Sequence, residues 1–145
     1  PKSLPKIASG GEISRIMLAL KTIFSSKSQI TSIIFDEVDT GVSGRVAQAI
    51  AEKIAKISIN SQVLCISHLP QVAAMADQHY LISKNVEKNR TFTSIQHILE
   101  KQRVEEISRM MSGAEITDLT LKHAEELLNM AKEKKKEMKN EGVIL

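Results

Sequence analysis

The chain has one cysteine, Cys65, among its 145 residues. A lone thiol excludes an intrachain disulfide and any metal site built from several cysteines. Tryptophan is absent, and one Tyr with three Phe brings the aromatics to only 3%. The core must therefore be built from Ile, Leu, Val, Ala and the six Met. No apolar run approaches the roughly 18 residues of a membrane span, and no signal-peptide pattern opens the chain. The cytoplasm is the expected compartment. Neither sign of charge dominates: 20 Lys and Arg stand against 17 Asp and Glu, for a net +3. The charges are mixed along the chain, which permits contact with polyanions without arguing for it. With 42% hydrophobic and 26% charged residues, this is the composition of a folded domain, not of a disordered tail. The length predicts one domain or a piece of one.

Two of the three prolines stand at Pro1 and Pro5, so the start reads as extended. It has no initiator Met and no recognisable first element, and a fragment of a longer protein is expected. From Glu12 the apolar residues Ile13, Ile16, Met17, Leu20, Ile23 and Phe24 keep helical spacing, predicting a helix to about Ser26. The run Ser32-Ile33-Ile34-Phe35 before Asp36-Glu37 predicts a strand buried on both faces. Val46, Ile50, Ile54 and Ile57 predict a helix capped near Ser43. Residues 62–66 predict a second buried strand. Strand, helix and strand in this order form a βαβ unit, with parallel strands and a right-handed crossover. Beyond it the pattern predicts a short helix over 71–76, then a hairpin of strands 80–86 and 92–99. A helix over 104–111 follows, stopped by Gly113, and a longer one over about 116–136 with Leu121, Ala124, Leu128 and Ala131 on one stripe. Five lysines fall between Lys132 and Lys139 with Glu133 and Glu137 among them. That run reads as a solvated helix face or, alternatively, as a contact for DNA phosphates. No internal repeat or long linker divides the chain.

Three local signals carry chemistry. Ser9-Gly10-Gly11-Glu12 directly precedes a helix, whose unpaired N–H groups and dipole suit a phosphate; a flexible turn with Ser9 as a cap is the alternative. Asp36 and Glu37 close a strand at the end where open α/β sheets bind ligands. Neighbouring residues there point in different directions. Asp36 can hold Mg²⁺ through its water shell while Glu37 faces a water beside a γ-phosphate; a solvated strand end, or Glu37 as a cap, is the alternative. Ser67-His68 follows the second strand, where an imidazole can donate to a phosphate oxygen or hold an attacking water; an exposed loop histidine is the alternative. His79, His97 and His123 have no partner at ligand spacing, so no zinc site is expected. No G-x-x-x-x-G-K-[ST] loop occurs, which leaves half of a nucleotide site.

Taken in order, Ser-Gly-Gly-Glu, helix, apolar strand with Asp-Glu, helix, and strand with Ser-His resemble the C-terminal half of an ABC-type ATPase head. The stretches from Ile7 to Lys21, Phe35 to Gly44, Ser67 to Ala73 and Glu106 to Gly113, with Ile116-Thr117 and 123–128, are similar to the RecN family of bacterial DNA repair proteins, which is SMC-like. SMC-type relatives usually continue into an Ala-Leu-Asp-like D-loop; here the residues are Thr40-Gly41-Val42-Ser43, which favours RecN.

The resemblance implies an α/β fold: the C-terminal half of a P-loop (ABC-type) head, with a parallel βαβ core followed by a β-hairpin and C-terminal helices. Residues 1–145 would form one lobe, with the signature motif at 8–12, Walker B at 32–37, the D-loop at 38–43 and the switch histidine at His68. The Walker A half and a long coiled coil would lie upstream of Pro1. Two heads would sandwich two ATP molecules, with Ser9, Gly10, Gly11 and Glu12 meeting the nucleotide of the opposite head. Asp36 would bind Mg²⁺ through water, Glu37 would be the general base, Asp39 would belong to the D-loop across the dimer seam, and His68 would contact the γ-phosphate. The implied function is ATP hydrolysis in double-strand break repair and recombination, with ATP and Mg²⁺ not necessarily bound to this segment. The implied partners are the chain's own N-terminal head half, a second head and DNA in the nucleoid, with no membrane. Alone, the segment is expected to be inactive. It is also expected to self-associate, or to be poorly stable, because of the open edge of strand 63–66 left by the missing phosphate-loop strand. The competing expectation is an interaction module that keeps the fold and binds a partner without nucleotide.

Overall fold

A computed structural model describes residues 12, 15–20, 32–36, 38–87, 90–113 and 115–142. The element order is α1 (residues 15–20), β1 (Ser32–Asp36), α2 (Gly44–Ser58), β2 (Gln62–Ile66), α3 (Pro70–Met75), β3 (His79–Glu87), β4 (Arg90–Ile98), α4 (Glu100–Ser112) and α5 (Asp118–Gly142). Among the described residues the fold is mixed α/β, with one parallel and one antiparallel strand pair followed by C-terminal helices.

β1 and β2 pair in parallel, from Ser32 opposite Gln62 to Asp36 opposite Ile66. Helix α2 connects them. Its buried residues are Ala47, Ile50, Ala51, Ile54, Ala55 and Ile57, a stripe at helical spacing in which alanines let the helix lie close to the sheet. Val46, expected on that stripe, faces solvent instead. Ser43 is the N-cap residue with extended backbone, but its side chain makes no capping bond.

Both strands depart from the expected two-sided burial. Ile33 and Phe35 are buried while Ile34 is 67% exposed, and Leu64 and Ile66 on β2 are 51% and 54% exposed. Side chains alternate between the faces of a strand. One face packs into the core, and among the described residues nothing covers the other.

The core joins Ile33, Phe35 and Val38 to α2, to Val72 and Met75 of α3, to Ile107 of α4, and to Ala124, Leu128 and Ala131 of α5, with Leu18 of α1 added. The hairpin β3–β4 is antiparallel, with Ile82 opposite Ile95. It is exposed along most of β4 and buries Ile98 at its base. Ser108 is buried and donates its hydroxyl to Thr120 at 2.8 Å, fixing α4 against the start of α5. Thr117 Oγ1 accepts the N–H of Thr120 at 3.2 Å, as an N-terminal helix cap does. The longest helix, α5, is anchored to the base of the hairpin by Lys135, whose Nζ lies 2.8 Å from Asp77.

Candidate functional site

Level register sets the geometry of the site. Because Asp36 and Ile66 end their strands side by side, the turn after β1 and the loop after β2 leave at the same rim. Ligands of open α/β sheets bind outside this carboxyl rim. The Asp36 side chain is exposed there.

The turn that follows is held inward. Val38 is fully buried and Asp39 is only 1% exposed. A carboxylate withdrawn from water requires donors in its place. The neighbouring loop supplies them to a single oxygen. Ser67 donates its hydroxyl to Asp39 Oδ2, the His68 backbone N–H donates to the same oxygen at 3.1 Å, and His68 Nδ1 lies 3.5 Å away. Ser67 Oγ in turn accepts the N–H of Leu69 at 3.0 Å. Hydrogen bonds to an ionised acceptor are the stronger kind, so Asp39 ties the two loops of the rim together.

Further contacts fix the same turn. The N–H of Val42 donates to the Asp39 carbonyl at 3.3 Å. Gly41 and Gly44 have φ of 71° and 53°. An added Cβ would meet nothing within 4 Å at either position, so it is the left-handed backbone, not lack of space, that asks for glycine. From the other side, Arg15 Nη1 donates to the carbonyl of Thr40 at 3.0 Å, attaching α1 to this turn.

Two electrostatic features follow. The Cys65 thiol, one residue inside the rim, is pushed up to about 12, by burial first and then by the charges of Asp39 and Asp36. It stays protonated and is no nucleophile. The His68 side chain is 71% exposed. With Nδ1 near Asp39, Nε2 is the ring nitrogen left for another partner.

The structure thus brings Asp36, Asp39 and His68 to one rim. Asp39, expected at a seam between heads, directs its carboxylate into its own chain, where two donors of the adjacent loop converge and His68 Nδ1 lies nearby. Glu12 is helical and exposed. Ser9, Gly10, Gly11 and Glu37 lie outside the described residues, as does the expected end of the first helix over 21–26. Sequence reasoning assigned no role to Arg15 or Ser67. The faint signal for Ser67 is its place two residues before Leu69, where a serine hydroxyl accepts a backbone N–H in a local turn.

Among the described residues no three His, Cys, Asp or Glu side chains converge on a metal position. A lone exposed carboxylate fits a divalent cation that keeps most of its waters and takes other oxygens from a phosphate, as Mg²⁺ does. No helix among the described residues is long and apolar enough to cross a membrane.

No family model matches the chain. Curated relatives do. The chain is 65% identical over 130 residues to the DNA repair protein RecN of Bacillus subtilis, covering 90% of this chain and 23% of that protein. It is 66% identical over 130 residues to the RecN of Halalkalibacterium halodurans, with the same coverage of 90% and 23%. To the RecN of Treponema pallidum it is 46% identical over 127 residues, 88% of this chain and 22% of that protein. The chain spans about a quarter of the length of the curated relatives it matches.

Proposed function

From the premise that this chain has the sequence of a RecN segment, we propose that it is the C-terminal part of an ABC-type ATPase head acting in DNA double-strand break repair. The observation that carries this is the level carboxyl rim, where exposed Asp36 ends β1, exposed His68 stands in the loop after β2, and buried Asp39 joins that loop to the turn after β1.

In this role the residues divide the work of phosphoryl transfer, which is mostly positioning and stabilisation of charge. Asp36 would hold Mg²⁺, whose charge would offset that on the phosphate oxygens. Glu37 polarises the attacking water and takes its proton. His68 offers Nε2 to the γ-phosphate. Ser9, Gly10 and Gly11, with Glu12 at the start of the first helix, meet the nucleotide held by a second head. The phosphate-cradling loop absent from this sequence comes from the remaining length of the longer protein. Hydrolysis therefore needs both parts of the head and the contact between two heads. DNA is the partner of the assembled protein.

The test is complementation. The 145-residue chain is assayed for Mg²⁺-dependent ATP hydrolysis alone and after mixing with the rest of its head. The proposal expects no turnover alone and restored turnover in the mixture. Turnover by the chain alone, or none in the intact longer protein, contradicts it.

A further inference from the structure

We propose that Asp39 is a positioning residue for His68 within the same chain. The role rests on the assignment of His68 to the γ-phosphate and deepens it. Asp39 Oδ2 receives the Ser67 hydroxyl, the His68 N–H at 3.1 Å and the approach of His68 Nδ1 at 3.5 Å. The first two contacts fix the backbone from which the imidazole projects. The third selects the state of the ring. A carboxylate 3.5 Å from Nδ1 favours a proton on that nitrogen, and which ring nitrogen carries the proton sets what the other can do. Nε2 is then free either to accept from a water or, when the ring is protonated, to donate to a phosphate oxygen.

The burial of the two partners divides the roles. Asp39 is 1% exposed and makes its contacts from beneath the rim, so it has no route to substrate. His68 is mostly exposed and would waver among rotamers without an anchor. A buried acceptor under an exposed imidazole costs nothing in access and restricts the ring. Since Asp39 sits in the turn that α1 also grips through Arg15 and Thr40, the orientation of His68 depends on the placement of that turn.

The experiment has two readouts. In the 145-residue chain, ¹⁵N spectra of labelled histidine report which nitrogen of His68 carries the proton. In the full-length protein, kcat and KM for ATP are measured for Asp39→Asn, Ser67→Ala and His68→Gln. Expected are a proton on Nδ1 in the unaltered chain, its loss in Asp39→Asn, and a fall in kcat of ~10-fold or more with KM for ATP unchanged. Ser67→Ala keeps the Nδ1 signature and lowers kcat less. If Asp39→Asn leaves kcat intact while His68→Gln removes it, the positioning role is wrong and the site assignment stands. If His68→Gln leaves kcat intact, the assignment of His68 itself is wrong. Should Asp39→Asn not fold, the unaltered chain decides: a His68 spectrum without a proton on Nδ1 overturns the proposal.

Discussion

Arg103 closes the end of α3: one of its guanidinium nitrogens lies 2.6 Å from the carbonyl oxygen of Ala76 and 3.0 Å from those of Ala73 and Ala74. The last carbonyls of a helix have no partner within it, and they attract cations. α3 is only six residues long, so this side chain from α4 supplies much of its terminal bonding. Replacing Arg103 with Ala takes this donor from the Ala74 carbonyl, while the Ala73 carbonyl keeps the N–H of Ala76 and the Ala76 carbonyl keeps Lys135 Nζ at 3.4 Å, at a cost of about 1 kcal/mol. Arg103→Lys, with a single point of charge, recovers part of that. Urea unfolding measures both; equal stability of Arg103→Ala and the unaltered chain contradicts the capping role.

His79 lies beside that arginine and titrates below its ordinary value of 6.5, through burial first and Arg103 second, with Glu106 opposing. Its Nδ1 is buried and unpaired. A lowered pKa in the folded state means that the unfolded chain binds the proton more readily. Stability from this group is therefore complete above about pH 6.5 and falls as the pH drops toward the folded-state pKa. Melting curves between neutral and mildly acid pH should show a decline that His79→Gln flattens. An unchanged slope in the variant contradicts this.

Cys65 offers a chemical report on the rim. A thiol near pKa 12 is alkylated on the order of a thousand times more slowly at pH 8 than a free cysteine near 8.5. Asp39→Asn removes one of the charges that hold it up, so the thiolate fraction and the alkylation rate should rise. Iodoacetamide labelling followed by mass spectrometry reads this directly. Labelling of the folded chain at the rate of the unfolded one contradicts the assigned environment.

Much of the fold was legible because apolar spacing and secondary structure coincide. Residues 33–35 and 63–66 are apolar, with Ile and Val among them, and they lie in the parallel pair. Of the stripe expected on the last helix, Ala124, Leu128 and Ala131 are buried and Leu121 is half-buried. α4 begins at Glu100, ahead of the expected Val104, because its first turn is polar and packs through Arg103 onto carbonyls, which hydropathy does not register. Ile34, Leu64 and Ile66 read as core yet face outward, since apolar character does not tell which face of a sheet its own chain covers. Asp39 is the reverse, a charged residue under the surface. Its burial depends on donors from a loop distant in sequence, and only the register of the two strands brings them together.

Asp36, the last residue of β1, and Glu37, which follows it in the sequence, carry the proposed hydrolysis. The most direct measurement is ATP binding and turnover by the full-length protein carrying Glu37→Gln. A general base removed without loss of shape should lower turnover ~100-fold or more while ATP still binds. Turnover close to that of the unaltered protein contradicts the assignment of this rim to ATP hydrolysis.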